Sequence, residues 1–541
     1  MINLQNIKKY ITARNIFVAL GLSLIFFIAI RSPTDPDMGW HLQDGKYLIE
    51  HDFKVAKKDI FSYTMPDFPL IMHEWTTDIF MEKFLEHTNF FFLSVFFAMV
   101  TTLAFLLVGL GASAKIEYKI IAAILGTIAS VPVLGVRPQM LSLLGLASVV
   151  YIIFKFRRNP RSNIIYWLPL IFLVWVNVHG GFAVGLFFLG LFSAVEMLKL
   201  SAAYLSKKIG RIKFFSLHRG TPSGESSGMK AQKIAGRSFL RRPLSACGAG
   251  FSALSGKLEQ SAIPFRSVLK VVIVSFVSFT ATLLNPYGWR VYIEVFTTAT
   301  DSYAKANINE WFPVTVANPM SYQFIIYLSL LAILLLFSYR KTDYTYLTIA
   351  LVFLYLGFSS WRHMPLFLIV STPLWISITE GIAGSELLRV VRRKWFLAFM
   401  ALSVFLIAQQ KMTKVIPYNF SLGRLAGDGN YPLSAVDYLK KNPIEGRMFN
   451  EYNWGGYLIW QYPEKKVFID GRMPSWKMGD QKIFEEFNGL FKYEKNWQDV
   501  LKKYDVSFAL IYNNLPNRTM FSNSGWKEVY QDDLSIVFVR P

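Results

Sequence analysis

The stretch NIFVALGLSLIFFIAIRSPTDPDMGWH, residues 15–41, sets a greasy segment directly against a cluster of charge. Positions 15–30 carry no ionisable group and suit a crossing of the bilayer core, which takes roughly 20 residues. Asp35-Pro36-Asp37 and His41 follow within a few residues. Carboxylates held just outside a membrane span are costly to keep, so chemistry is expected there first.

The rest of the chain repeats the first half of that pattern. It is 53% hydrophobic and 16% aromatic, too apolar for an ordinary soluble enzyme. Its apolar runs fall at 15–30, 90–110, 120–135, 141–156, 164–178, 182–200, 269–284, 322–338, 346–360, 365–379 and 395–408. Read as spans, these make a polytopic α-helical membrane protein with about eleven transmembrane helices. The excess of 57 Lys and Arg over 36 Asp and Glu is not a nucleic-acid footprint, because the cations gather in alternate loops. By the positive-inside rule the N-terminus is cytoplasmic and, after an odd number of crossings, the C-terminal region lies outside. The first segment has the basic flank of a signal sequence without a small-x-small cleavage site, and is expected to stay as an anchor. Cys247 is the lone cysteine, which excludes an intramolecular disulfide or a cysteine-based metal site.

Three regions stand apart from the spans. The outside loop 31–89 repeats Trp40, Leu42, Tyr47, Leu48 and then Trp75, Ile79, Phe80, Phe84 at helical spacing, predicting two amphipathic helices at the interface. The inside stretch 201–266 is basic, rich in Ser and Gly and without periodicity, as expected of a flexible insert. After residue 409 the composition becomes that of a small extracytoplasmic α/β domain, 410–541, following the transmembrane domain 1–409. Strands are expected at 447–450, 467–470, 508–512 and 536–540, and helices at 432–441, 454–461, 481–491 and 497–504.

With this topology the ionisable residues near the membrane fall on one face. Asp35 or Asp37 would serve as general base toward an attacking hydroxyl, the partner carboxylate orienting it or holding a divalent cation. Asp35 also suits the cap of the following helix. His73 and Glu74 offer a second base or metal ligand, or simply an acidic helix start. A magnesium or manganese ion on Asp37 and Glu74 is the expected metal site. Arg137 and Arg362 would hold a phosphate at headgroup depth, with His363 beside Arg362 and His179 before the paired glycines Gly180-Gly181, or the arginines would snorkel to lipid.

Together these motifs resemble the C-type glycosyltransferase superfamily, multi-pass enzymes that use polyprenyl-phosphate sugars. The resemblance rests on Asp35-Pro36-Asp37 after the first span. Trp40-His41-Leu42, His73-Glu74-Trp75, Arg137-Pro138-Gln139, Asn177-x-His179-Gly180-Gly181, Asn285-Pro286-x-Gly288, Arg362-His363-x-Pro365 and Trp454-Gly455-Gly456-Tyr457 are similar to an uncharacterised bacterial subfamily. That subfamily is related to protein mannosyltransferase-like and aminoarabinose transferase-like enzymes. The resemblance implies a plasma-membrane enzyme carrying out inverting transfer from a polyprenyl-phosphate sugar to a glycan, lipid or protein acceptor on the outer face, with one of the two aspartates as base. Glu451-Tyr452-Asn453-Trp454-Gly455-Gly456-Tyr457 is similar to the acceptor-binding motif of oligosaccharyltransferases, with Gly455 where that motif has its Asp. This implies acceptor contacts from Tyr452, Trp454 and Tyr457. The alternatives are an oligosaccharyltransferase-like enzyme acting on protein, and a lipid or polysaccharide transporter or flippase, whose ionisable residues would line both sides and the midplane.

Overall fold

The computed structural model describes residues 12–218, 261–338, 342–419, 431–492 and 497–541. Most of the basic insert, with Cys247, lies outside the described residues.

Among the described residues, seven helices are long and apolar enough to cross a membrane, from Phe90–Leu110 to Lys394–Tyr418, and the chain is a multi-pass membrane protein. The expectation was about eleven. The difference lies in length: Ala13–Ala29, Asn163–Val178 and Tyr344–Ser359 are apolar helices of 17 residues or fewer. The helix Phe265–Ala281 stands where another span was expected, carrying Arg266 and Lys270 near its start. The first helix is capped by Thr12 and packs against Ile116–Ser130 and Lys394–Val415, so residues 15–30 belong to the bundle.

Two helices fill the loop after the first span, Met38–Glu50 and Trp75–His87, as the periodicity predicts. They lie against each other at glycine: a Cβ on Gly45 would strike the carbonyl of Asp78. The first also lies under the helix Gly455–Gln461, where a Cβ on Gly39 would strike the Gly456 carbonyl and one on Gly456 would strike Pro36. These contacts need backbone against backbone, which only glycine allows. They bring Asp37 and the C-terminal region together.

The C-terminal strands are β1 (Arg447–Asn450), the short pair β2 (Lys477–Met478) and β3 (Gln481–Lys482), then β4 (Val506–Tyr512), β5 (Lys527–Gln531) and β6 (Ser535–Val539). Four form a sheet in the order β1-β4-β6-β5, with β1 parallel to β4 and the other pairs antiparallel. Alternation along β4 and β6 buries both faces. Phe508, Leu510 and Val537 join the bundle's core, while Ala509, Ile511, Ile536 and Phe538 join a second core with Phe484, Phe487 and Phe521. Leu48, Met65, Leu70 and Met72 of loop 31–89 enter that second core too.

The strand expected at 467–470 is not formed. Only Val467 makes a bridge, to Ser62 of the first loop. The reason is Asn450, whose side chain accepts from Phe468 N at 2.8 Å and donates to Ile469 O at 2.9 Å, taking the place of a neighbouring strand. A helix, Leu515–Asn523, and the edge strand β5 were not anticipated. Their polar sequences lack the apolar alternation that reveals a buried element.

Candidate active site

A cavity of about 570 Å³ opens where the first loop, the ends of several bundle helices and the C-terminal region meet. Asp35, Asp37, His73, Glu74, Arg137, Arg362 and Tyr452 all line it. His179 lies behind Glu74, and His363 and the buried Trp454 and Tyr457 are not in its wall. Trp454 packs on Tyr512, and Tyr457 stacks on Tyr431 at 4.9 Å.

The two aspartates are placed differently. Asp35 sits 3.0 Å from Arg137 Nε and its other oxygen accepts from Asp37 N. Asp37 precedes the helix Met38–Glu50 without capping it, and accepts from Trp40 Nε1 at 3.0 Å. Among the described residues no cation pairs with it, and Gly471 presses against its carboxylate. Burial, then the charge of Asp35, push its pKa up to about 6.

Arg137 and Arg362 converge on one carboxylate. Glu310 pairs with Arg137, and its Oε2 lies 3.5 Å from Arg362 Nε. Despite burial, the flanking Asp35 and Glu310 hold the Arg137 guanidinium charged. Arg362 lies over the Trp311 ring at 5.1 Å, with the Arg362 amide fixed by Ser360 Oγ.

Glu74 is ringed by imidazoles. Its Oε1 is 3.1 Å from His179 Nε2 and 3.6 Å from His73 Nε2, and its Oε2 is 3.4 Å from His41 Nδ1. The tautomers follow from the surroundings. Gly181 N–H donates to His179 Nδ1, so that ring carries its proton on Nε2 and gives it to Glu74. Trp175 Nε1 donates to Ser142 Oγ, which in turn faces His179 Nδ1 at 2.7 Å. His73 Nδ1 points at the Ile71 carbonyl, leaving a lone pair on Nε2 toward Glu74. Burial lowers the His73 pKa to about 4, keeps His179 neutral and raises Glu74 to about 8. His179 was expected on a donor phosphate; here it orients Glu74.

Among the described residues, ligand atoms of His41, Glu74 and Asp78, all buried, converge within 4.8 Å. Asp37, the expected partner of Glu74, is not in that group. His41 Nδ1 is 2.7 Å from Asp78, and Asp37, His41 and Asp44 share one helix face at spacings of four and three. That spacing was legible in the sequence. What hid the group was Asp78, which a helix pattern alone reads as a first-turn charge. Two carboxyls and an imidazole drawn together, all buried, fit a divalent cation.

No protein-family description matches this sequence, and no curated protein matches it. Solved structures do. The chain is similar to the archaeal oligosaccharyltransferase AglB from Archaeoglobus fulgidus in complex with an inhibitory peptide and a dolichol-phosphate, at TM-score 0.51 and 12% identity over 96% of this chain and 70% of that one. It is also similar to the Archaeoglobus fulgidus oligosaccharyltransferase tethered to an acceptor peptide, at TM-score 0.50 and 12% identity over 93% and 69% of the two chains. At that identity the likeness reaches the architecture and not a subfamily. The fold is similar to that of these archaeal oligosaccharyltransferases.

Proposed function

We propose that this protein transfers a sugar from a polyprenyl-phosphate carrier to an acceptor on the outer face of the plasma membrane. The observation that carries the reading is the convergence of Arg137 and Arg362 on Glu310 beside the Asp35–Asp37 pair, within one cavity. Two guanidiniums turned to one point are suited to a phosphate ester, which each can meet with charge-assisted hydrogen bonds. Asp37, unpaired with any cation among the described residues, is the base; Asp35 positions Arg137.

In the reaction Asp37 takes the proton of an acceptor hydroxyl as its oxygen bonds to the anomeric carbon. The bond from that carbon to the phosphate oxygen breaks, and the electron pair stays on the phosphate, where Arg137 and Arg362 stabilise it. Attack opposite the leaving phosphate inverts the anomeric centre. His41, Glu74 and Asp78 would hold a divalent cation, which when bound supplies Lewis acidity near the leaving group.

Sugar release from a panel of polyprenyl-phosphate sugars by full-length protein in detergent tests this, with and without EDTA. Wild type is expected to release sugar, and Asp35→Asn/Asp37→Asn to lose about 10²-fold or more. Full activity in the double variant would sink the assignment; lipid movement across vesicles with no release from any donor would favour a flippase. A protein acceptor is the second reading, favoured by the oligosaccharyltransferase architecture, and crosslinking of an acceptor peptide near Tyr452 tests it.

A further inference from the structure

The cavity has a second polar end that the phosphate chemistry does not use. Asp44, Arg472 and Asn488 line it, and each keeps a buried polar atom without a hydrogen-bond partner: Asp44 Oδ1, Arg472 Nη1 and Asn488 Nδ2. Asp44 is 2% exposed and the Arg472 side chain 7%. Orphaned buried atoms of this kind cost about 1–3 kcal/mol each, so they are kept where something else satisfies them.

Their setting defines what that is. Arg472 is already neutralised, pairing with Asp470 at 2.8 Å and Asp59 at 3.1 Å while lying over the Phe61 and Trp476 rings. Its remaining N–H is therefore a hydrogen-bond donor with little net charge to offer. Glu294 adds a further half-buried carboxyl to the same wall, which burial shifts toward its neutral, hydrogen-bonding form. The walls between these groups are aromatic, with Phe68 stacked on Trp476 at 4.2 Å. One acceptor and two donors, spread over separate elements between aromatic surfaces, match the hydroxyls of a sugar ring, each of which both gives and receives.

The place is also right. Asp44 lies two turns along the helix from Asp37 on the same face, and Gly471, next to Arg472, abuts the Asp37 carboxylate. We infer that Asp44, Arg472 and Asn488 form an acceptor subsite for an uncharged saccharide, delivering one of its hydroxyls to Asp37. This deepens the transferase reading and rests on it for the role, though not for the binding.

The test is equilibrium binding of labelled maltotriose and chitotriose to the full-length protein in a detergent without a sugar headgroup. At least one trisaccharide is expected to bind saturably, and Asp44→Ala and Asn488→Ala are each expected to weaken it about tenfold, the loss of one hydrogen bond of about 1.4 kcal/mol. Asp44 is buried and Asn488 half-buried, so a folding failure in one variant leaves the other to decide. No saturable binding, equal binding by both variants, or binding of an Asn-containing peptide in place of either trisaccharide overturns the subsite. Sugar release from polyprenyl donors by the same preparation separates the two ideas. Release without saccharide binding overturns the subsite alone, and saccharide binding without release overturns the transferase reading alone.

Discussion

Among the described residues, two of the clusters of buried charge are built on opposite plans. In the first, Lys199 Nζ reaches Glu196 at 2.9 Å, Thr345 at 2.8 Å and the Ser261 carbonyl at 2.7 Å, while Arg157 reaches Asp343 at 2.7 Å. Glu196 takes Ile263 N as well, so each acid has its cation. In the cavity, Glu74 faces imidazoles and Asp37 faces an indole. Burial of charge is common to both. What separates a reacting centre from a structural pin is acids left without cations beside open space. The pin has its own use, since Ser261 and Ile263 lie near the end of the basic stretch 201–266 and Glu196 and Lys199 just precede it. It fastens both ends of the insert to the bundle.

Substitution should pull the two clusters apart. Asp37→Asn is expected to lower turnover by about 10²–10⁴-fold, as for loss of a general base, with an unchanged or slightly raised melting temperature. A melting temperature that fell with activity would make Asp37 a structural acid like Glu196. Glu196→Ala should do the reverse, costing about 3–5 kcal/mol by stranding Lys199, with turnover per folded molecule retained; a thermal melt in detergent decides. If instead it unfolds nothing and abolishes turnover, the contrast fails. The smallest effect concerns Glu451, whose buried carboxyl is raised to about 7 although Tyr512 N donates to it. Between its ordinary pKa and pH 7 the unfolded chain sheds this proton while the folded one keeps it, so stability falls with rising pH across that window and levels above it. Glu451→Gln should flatten that slope, and an identical slope in the variant would show the proton is held elsewhere.

Much of this was legible beforehand for stated reasons. Long apolar runs and helical spacing reveal the spans and the two helices after the first, because burying a face imposes a period. Asp35, Asp37, Arg137 and Arg362 stood out because charge beside a membrane is expensive. The sequence does not carry which charges meet. Asp78 reads as a helix-start acid until Gly45 lets its helix close in, and Arg472 reads as a loop cation until Asp59, from the far end of the chain, pairs with it. In Trp454-Gly455-Gly456, Gly456 closes a backbone crossing against Gly39 and Pro36, and Gly455 another against the Ile469 carbonyl.

The joining of loop 31–89 to the C-terminal sheet also bears on how the protein is made. Thr64 donates to the carbonyl of Phe468, 404 residues later. During synthesis Leu48, Met65 and Met72 emerge long before the partners that cover them, so the first loop must wait with apolar side chains uncovered. Assembly of the cavity is therefore a late, post-translational event, and a ribosome stalled before the last strands would leave a membrane-inserted bundle with no centre for chemistry.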